Sequence, residues 1–262
     1  MRGTGIVSKN IDFSDDFEDS LALNADDLAK IAGMLYKERN KIMKVTIIHP
    51  SRGREELAYR AYNNWLRKAD NPQNIEYILS VDKDDSINYE SMFGQANVLR
   101  SPNKSAIEAI NNAAKIATCN LLIVISDDFE APEHWDSLLL QFLAGKEDFM
   151  VKTRDGIQKT LITLPIMDRT YYNRFGYIYH PDYKHMHADE EMTIVGHMLG
   201  RVIDLPLLFP HNHYTTGAMQ MDDINVKNNS TWAHGQATLD RRSLNNFGIE
   251  NPLVKREDII WR

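Results

Sequence analysis

Cysteine is nearly absent from the sequence, which has Cys119 alone among 262 residues. No disulfide can form within the chain, and this favours a reducing compartment over the extracellular space. A single cysteine ahead of an apolar run is expected to be a small buried residue. The cysteine content therefore favours a cytoplasmic protein that is stabilised by its hydrophobic core rather than by covalent cross-links.

Long apolar runs are also missing. The longest aliphatic run, at residues 121–125, is far shorter than the roughly 20 apolar residues that a membrane-spanning helix requires. The N-terminal stretch MRGTGIVSKN lacks the apolar core of a secretory signal peptide. We therefore expect no membrane span and a cytoplasmic location.

Positive charge is in deficit, because 30 Lys and Arg face 37 Asp and Glu and the formal net charge is −7. Proteins that coat nucleic acid need clustered cations to neutralise phosphates. The acidic balance argues against that class, although it does not exclude a local basic, aromatic groove. The candidates for such a groove are Arg169, Tyr171, Tyr172 and Arg174.

The composition divides the chain into three segments. Residues 1–43 are an acidic N-terminal extension, with seven acids and no Lys or Arg between positions 12 and 27. Within it, Asn24 is placed to cap a helix over residues 25–41. Residues 44–215 carry the pattern of one α/β domain. Residues 216–262, where periodicity is weak, are expected to be a C-terminal extension packed on that domain.

Strand and helix patterns alternate along the α/β segment. Aliphatic and β-branched runs predict strands at 45–49, 75–81, 98–99, 121–125, 161–166 and 202–205. Amphipathic patterns and caps predict helices at 55–68, from the Ser105–Glu108 capping box onward, from Pro132 onward, at 171–175 and at 190–200. This alternation predicts an α/β fold with a mostly parallel sheet flanked by helices.

Ligands of parallel sheets bind beyond the carboxyl ends of the strands. Asp127 and Asp128 directly follow the 121–125 strand. Adjacent carboxylates repel each other, and a hard cation such as Mg²⁺ or Mn²⁺ that also binds substrate phosphates would balance them. The alternative is that they are the acids common at a helix start, since a helix follows. The dipeptide alone does not decide between these readings.

Two neighbouring loops offer groups to an anionic or polar ligand. After the first strand, the stretch HPSRGR provides a rigid turn, backbone donors and two guanidinium groups. It matches neither a P-loop nor a G-x-G-x-x-G motif. Asp82 ends the second strand, where a carboxylate is placed either to accept hydrogen bonds from a ribose or base, or simply to lie in a solvated turn.

Two later clusters contain groups that could act as a base or as metal ligands. Asp189, Glu190 and Glu191 stand at a predicted helix start, where acids are common for electrostatic reasons but where a general base could also sit. His211 and His213 follow the 202–205 strand. Alternate histidines reach one site only if the stretch is not a regular strand.

Taken in order, these signals resemble the GT-A glycosyltransferases, and within them the large family 2-like group. The resemblance covers roughly residues 44–215. The matching stretches are VTIIHPSRGRE, ILSVDKDDS, NNAAKIAT, IVISDDFEAPEHW, ADEEMTIVGHMLG and FPHNH. The fold that this resemblance implies is the GT-A, Rossmann-like fold, which agrees with the mostly parallel sheet predicted from the pattern.

The resemblance also implies roles by position. The residues that would bind the nucleotide sugar are Pro50, Ser51, Arg52, Asp82 and Asp127. Asp128 would be the principal metal ligand, with His211 or His213 completing the shell. The ion implied is Mn²⁺ or Mg²⁺.

The function implied is metal-dependent transfer of a sugar from a nucleotide-diphosphate sugar to a hydroxyl acceptor, with inversion. The base would be an acid at the late helix start, with Asp189 and Glu190 as first candidates and Glu191 as the third. UDP is the expected carrier on family frequency. The acceptor stays open between a glycan, a protein and a modified nucleic-acid base.

Two other classes remain as alternatives. A nucleotidyltransferase shares the sheet architecture, but it is expected to carry a Gly-rich loop after the first strand, where this chain has only Gly53. A module that binds a nucleotide or sugar without transferring it would keep the same site. The binding module and the glycosyltransferase differ in donor turnover, which only the enzyme shows.

Overall fold

The computed structural model describes residues 44–93 and 97–259. They belong to the second of two compact units, Met43–Arg262. The predicted acidic extension at residues 1–43, with its helix over 25–41, lies outside the described residues. Within the described part of the chain, no helix is long and apolar enough to cross a membrane.

A seven-stranded sheet organises the domain, in the order β3-β2-β1-β4-β6-β5-β7. Its strands are β1 Val45–Pro50, β2 Ile75–Asp82, β3 Asn97–Ser101, β4 Leu121–Val124, β5 Met150–Arg154, β6 Ile166–Asp168 and β7 Val202–Leu208. The first four strands are mutually parallel, β6 runs antiparallel to β4 and β5, and β5 pairs parallel with β7. The predicted α/β class with a mostly parallel sheet is confirmed.

The helices connect and cover the strands. They are α1 Glu55–Arg67, α2 Glu90–Phe93, α3 Ala106–Ile116, α4 Trp135–Leu143, α5 Arg169–Phe175, α6 Ala188–Met198, α7 Asp223–Asn229 and α8 Trp232–Ser243. Ser105 caps α3 by accepting a hydrogen bond from the Glu108 amide at 3.1 Å. The predicted capping box is only half formed, because the Glu108 carboxylate accepts from the Lys104 amide instead.

Two hydrophobic cores form on the two faces of the sheet. Alternate residues of β1 supply both, with Ile47 facing one core and Ile48 the other. On the first face, the rings of Trp65 and Trp135 meet edge to face at 5.1 Å and clamp α1 to α4. On the second, α3 packs with α5 and α6. Helices therefore cover both faces, and the strand ends are left free to form a site.

Some boundaries differ from the sequence prediction. The strand predicted at 161–166 begins only at Ile166, because the Ile162 amide donates to the Thr193 hydroxyl of α6 rather than to a strand. The prediction missed β5, whose polar Lys152 and Thr153 are buried beside apolar neighbours. The helix predicted from Pro132 begins at Trp135, after His134 adopts a left-handed conformation with φ of 60°.

Asn111 generates a stability prediction. Its buried amide accepts hydrogen bonds from the amides of Ile178 and Tyr179 at 3.0 and 3.3 Å and donates to the Tyr179 carbonyl at 2.7 Å. The change Asn111→Ala leaves these groups unpaired inside the protein, so we expect the free energy of unfolding to fall by about 3 kcal/mol. Urea unfolding followed by circular dichroism measures it.

The adjacent Asn112 provides the control. It is only partly buried, and its amide bonds the Asn103 side chain. Asn112→Ala should cost less than about 1 kcal/mol. Equal losses in the two variants would contradict the role given to Asn111.

Candidate active site

A cavity of about 740 Å³ opens at the carboxyl ends of β1 and β4. In the sheet, β2 and β3 lie on one side of β1 and β4 lies on the other. The strand order therefore reverses at β1, which makes this the switch point of the parallel part of the sheet. The loops after β1 and β4, the first turn of α3 and the start of α6 form its inner walls. Residues 211–215, α7 and Trp232 close the remaining side.

His49 and Asp127 join the two strand ends at the base of this region. His49 lies at the end of β1 and is fully buried, and its Nε2 is 2.9 Å from Asp127 Oδ1. The other imidazole nitrogen contacts the Tyr77 hydroxyl at 2.5 Å. The second carboxylate oxygen of Asp127 is 3.5 Å from Arg54. Asp127 therefore holds two loops together with protein groups and does not line the cavity.

Arg54 links the loop after β1 to α7. Its guanidinium makes two hydrogen bonds to the Asp222 carboxylate, at 2.7 and 2.6 Å, and its side chain is 11% exposed. Asp222 is also the N-cap of α7, where it forms a capping box with Asn225. One carboxylate therefore both starts α7 and fixes the helix to the edge of the cavity.

Asp128 points the other way, toward His211. The side-chain atoms His211 Nε2 and Asp128 Oδ2 are 3.3 Å apart, and His211 Nδ1 lies 3.8 Å from Asp155 Oδ2. The imidazole also stacks on the Phe129 ring at 4.1 Å between centroids. Buried by this ring, the Nδ1 atom makes no hydrogen bond among the described residues.

Electrostatics couple these groups. Burial alone would lower the pKa of His211, but the carboxylates of Asp128 and Asp155 outweigh it and raise the pKa to about 9. Burial alone would raise the pKa of Asp128, but His211 and the Ser126 hydroxyl lower it to about 2. Without a bound cation, His211 is therefore a positively charged bridge between two carboxylates at neutral pH.

Backbone pairing creates this contact. Phe129 and His211 form an antiparallel bridge, and the Asn212 amide donates to the Asp128 carbonyl at 2.8 Å. The stretch that follows β7 thus runs beside the stretch that follows β4. His213 lies at the cavity with its ring 5.0 Å from that of His211, and burial followed by the His211 charge lowers its pKa.

The three acids at the start of α6 occupy three different environments. Asp189 lines the cavity, and burial raises the pKa of its carboxyl group. Glu190 is 2.9 Å from His187 Nδ1. Glu191 is buried away from the cavity, where it accepts hydrogen bonds from Arg242 at 2.7 and 2.9 Å and from the Tyr183 hydroxyl at 2.8 Å.

The residues predicted to bind the nucleotide also lie in different environments. Pro50 lines the cavity. Ser51 is buried next to it, and its hydroxyl makes no hydrogen bond to a described residue. Arg52 and Asp82 are ion-paired at 2.5 Å on the adjoining sheet edge, outside the cavity lining, and Arg52 also binds Asp84.

The donor atoms fit a metal site that the substrate helps to complete better than a site formed by protein ligands alone. No group of three or more His, Cys, Asp or Glu side chains among the described residues is arranged to hold an ion. Asp128 and His211 nevertheless supply a carboxylate oxygen and an imidazole nitrogen that already meet at 3.3 Å. Mg²⁺ and similar ions commonly take one or two protein ligands and complete their shell with substrate phosphates and water. The pair suits an ion that arrives with its substrate.

Three residues of this region were missed by the sequence reasoning. His49 gave a signal, because it is a polar residue at the end of an apolar strand. Asp155 follows β5, so it could not be placed while that strand was unrecognised. His185 lines the cavity, and burial lowers its pKa to about 4. It is preceded by a loop in which no periodicity indicates which side chains face inward.

Comparisons with known proteins address the family and the fold separately. Residues 46–204 match the family model described as glycosyl transferase family 2. A mannosyltransferase from Pyrobaculum calidifontis, solved with GDP-mannose and Mn²⁺, is 13% identical with a TM-score of 0.51, over 77% of this chain and 75% of its own. TarS from S. aureus is 13% identical with a TM-score of 0.52, over 80% and 76%.

A third solved structure is similar to the same extent. Glucosyl-3-phosphoglycerate synthase from Mycobacterium tuberculosis, in complex with Mn²⁺, UDP and phosphoglyceric acid, is 14% identical with a TM-score of 0.52, over 71% of this chain and 78% of its own. At these identities the likeness shows the fold. The predicted GT-A fold is thereby confirmed. A search of curated proteins found no match.

The position of His211 generates a prediction about its titration. In protein freed of divalent ions, the imidazole should titrate near pH 9 because two carboxylates stabilise its charged form. Asp128→Asn should lower that pKa by about one unit or more. Ring-proton NMR over pH 5 to 10 measures both, with His134, whose pKa is raised by Asp70, as the internal control. An unshifted His211 in the wild type would contradict this electrostatic reading.

Proposed function

The chain belongs to glycosyl transferase family 2, and on that premise we propose metal-dependent sugar transfer from a nucleotide-diphosphate sugar to a hydroxyl acceptor, with inversion. The observation that carries the proposal is the meeting of Asp128 with His211 on the same cavity that Asp189 lines. A metal-binding pair and a candidate base therefore face one space. The cavity, at about 740 Å³, falls within the range of small-molecule sites.

We assign the metal to Asp128 and His211, with His213 as the second candidate imidazole. Mn²⁺ or Mg²⁺ suits these ligands, and Mn²⁺ accompanies the nucleotide in two of the similar structures. When bound, the cation supplies charge neutralisation for the leaving diphosphate. His211 must lose its extra proton to act as a ligand, and its Nε2 already lies against Asp128.

The nucleotide is assigned to the loop after β1 and the neighbouring edge. Pro50 lines the cavity, and the hydroxyl of the neighbouring Ser51 is buried and makes no hydrogen bond to a described residue. Asp82 ends the adjacent strand β2 and is ion-paired with Arg52 of the loop after β1, and there we place the base and ribose. Asp127 serves mainly as a positioning residue, since His49 and Arg54 occupy its carboxylate. UDP is the proposed carrier, and it is the nucleotide in the similar glucosyl-3-phosphoglycerate synthase structure.

Asp189 is the proposed base. It takes the proton of the acceptor hydroxyl as that oxygen attacks the anomeric carbon on the face opposite the diphosphate. Its raised pKa favours proton uptake. Glu190, held by His187, is the second candidate. Glu191 is not part of the proposal, because Arg242 and Tyr183 bind its carboxylate away from the cavity.

Thermal unfolding with UDP, GDP, CDP and ADP, each with and without Mn²⁺, tests the donor and metal assignments. A diphosphate at about a hundred times its dissociation constant adds roughly 2.7 kcal/mol of stability. We expect a shift with one nucleotide that requires Mn²⁺, and Asp128→Asn should abolish both that shift and sugar transfer. The control Asp204→Asn removes an exposed carboxylate paired with Arg154. A shift that Asp128→Asn retains would overturn the metal assignment.

Turnover of variants at the start of α6 tests the base. Replacing Asp189 and Glu190 together by amides should lower kcat about a hundredfold or more, because a general base contributes on that scale. The KM for the donor should change little. Glu191→Gln is the matched control: it weakens a buried ion pair, so it should lower thermal stability. If the double amide variant keeps its turnover, neither residue is the base.

A further inference from the structure

The outer side of the cavity is built by chain that lies beyond the family match at residues 46–204. Asn228 on α7 and Trp232 at the start of α8 line the cavity there, beside His187 at the start of α6. We call these three residues the outer wall. Asp189, the proposed base, lines the same cavity two residues after His187.

The outer wall is held in a fixed position. The Thr231 hydroxyl accepts a hydrogen bond from the Met186 amide at 3.2 Å. Gly235 brings the backbone of α8 so close to the same segment that a Cβ there would lie 2.2 Å from the Met186 carbonyl oxygen. The Trp232 ring meets the His187 ring edge to face at 4.5 Å between centroids. The wall is thus a pre-organised surface, as a binding site requires.

Two residues of the outer wall bring polar side-chain groups to the cavity. His187 Nε2 is buried and makes no hydrogen bond to any described residue, while Nδ1 is held by Glu190. Its backbone takes a left-handed conformation with φ of 66°, which non-glycine residues adopt at a cost. The partly buried Asn228 side chain lines the cavity nearby, where its amide has two donors and an acceptor oxygen for a ligand. A buried unpaired imidazole nitrogen on a rigid wall indicates a polar ligand.

The outer wall is also apolar on one flat surface and free of fixed positive charge. Trp232 is 56% exposed, so its ring offers a face to a ligand. Among the described residues that line the cavity, Arg54 is the sole Lys or Arg, and Asp222 and Asp127 hold it. Amides, an imidazole and an indole face without a cation suit a neutral polyhydroxyl compound, whose hydroxyls need both donors and acceptors.

The same charge pattern argues against a nucleic-acid acceptor. A strand of nucleic acid needs a basic, aromatic groove. In the candidate groove from the sequence, Tyr171 and Tyr172 are buried, Arg169 donates to backbone carbonyls and Arg174 pairs with Asp148. Those side chains stabilise the fold and are not placed to line a groove.

We propose that the outer wall binds the acceptor, and that the acceptor is a neutral carbohydrate whose ring lies on Trp232 and whose hydroxyls bond His187 Nε2 and the Asn228 amide. This deepens the proposed function and rests on it. In the transfer step the acceptor O–H bond breaks and Asp189 takes the proton. A bond forms from that oxygen to the anomeric carbon, and the anomeric bond to the diphosphate breaks with its electron pair going to the diphosphate.

The experiment first measures hydrolysis of the donor by the full chain with no acceptor added. The donor is a sugar conjugate of the nucleoside diphosphate that raises the thermal stability of the protein. Transfer is then measured by mass spectrometry to 4-nitrophenyl glycosides of glucose, galactose, mannose and N-acetylglucosamine in both anomers. A DNA duplex containing 5-hydroxymethylcytosine and a Ser/Thr-rich peptide are the competing acceptors. We expect transfer to at least one glycoside and to neither competitor.

Variants then locate the acceptor. Asn228→Ala and Trp232→Ala should each raise the KM for the glycoside at least tenfold, a larger factor than any change in the KM for the donor. Trp232→Phe keeps a flat apolar face and should retain most of the affinity. Val226→Ala is the matched control, because Val226 is 55% exposed on α7 and does not line the cavity.

The outcomes distinguish a failure of the proposed function from a failure of the carbohydrate assignment. If the donor is neither bound nor hydrolysed, the proposed function fails. If the donor is hydrolysed but the duplex or the peptide is the acceptor, or no glycoside is, the carbohydrate assignment is overturned. It is overturned equally if Asn228→Ala and Trp232→Ala raise the donor KM as much as the glycoside KM, since the outer wall would then belong to the donor.

Discussion

The candidate site depends on one short backbone pairing, the antiparallel bridge between Phe129 and His211. It brings the stretch after β7 against the stretch after β4, and a carboxylate and an imidazole that are distant in sequence meet as a result. The ring of Phe129 then stacks on His211 and keeps water from one side of the imidazole. Main-chain hydrogen bonds set this geometry, so the proposed metal-binding pair of Asp128 and His211 does not depend on contacts between long, flexible side chains.

A second constraint is that buried charge must be compensated. Around the cavity, Asp127 is paired with His49, Arg54 with Asp222, and Asp128 with His211. Each pair also joins two segments: the ends of β1 and β4, the end of β1 with α7, and β4 with the stretch after β7. The ion pairs that satisfy individual charges therefore also assemble the loops into one wall.

Much of the α/β architecture could be predicted from sequence, because aliphatic runs such as residues 121–125 and stripes such as that of α1 report burial directly. For the site, the sequence predicted which loops come together but not which side chains meet. Asp127 and Asp128 are indistinguishable in the sequence, yet one is buried against His49 and the other meets His211. Which way each side chain points depends on the partner strand, and that strand pairing is a long-range property.

The helices of the C-terminal region were not predicted, for a different reason. Its helices α7 and α8 are short and polar, and α8 contains Gly235 at a position where glycine costs about 1 kcal/mol of helix stability relative to alanine. Local propensity therefore predicts little structure there. The helices form because Asp222 caps α7 and because Thr231 and Gly235 contact Met186. Tertiary contacts thus compensate for weak local preference.

The close approach at Gly235 has a consequence for how this protein can diverge. The position of α8 is set by backbone meeting backbone, so it does not depend on the identity of the side chains that α7 and α8 present to the cavity. Substitutions at those exposed positions can alter what the cavity accepts while the helix axis stays where it is. The chemistry of this side of the cavity can therefore change while its position relative to the segment around Met186 stays the same.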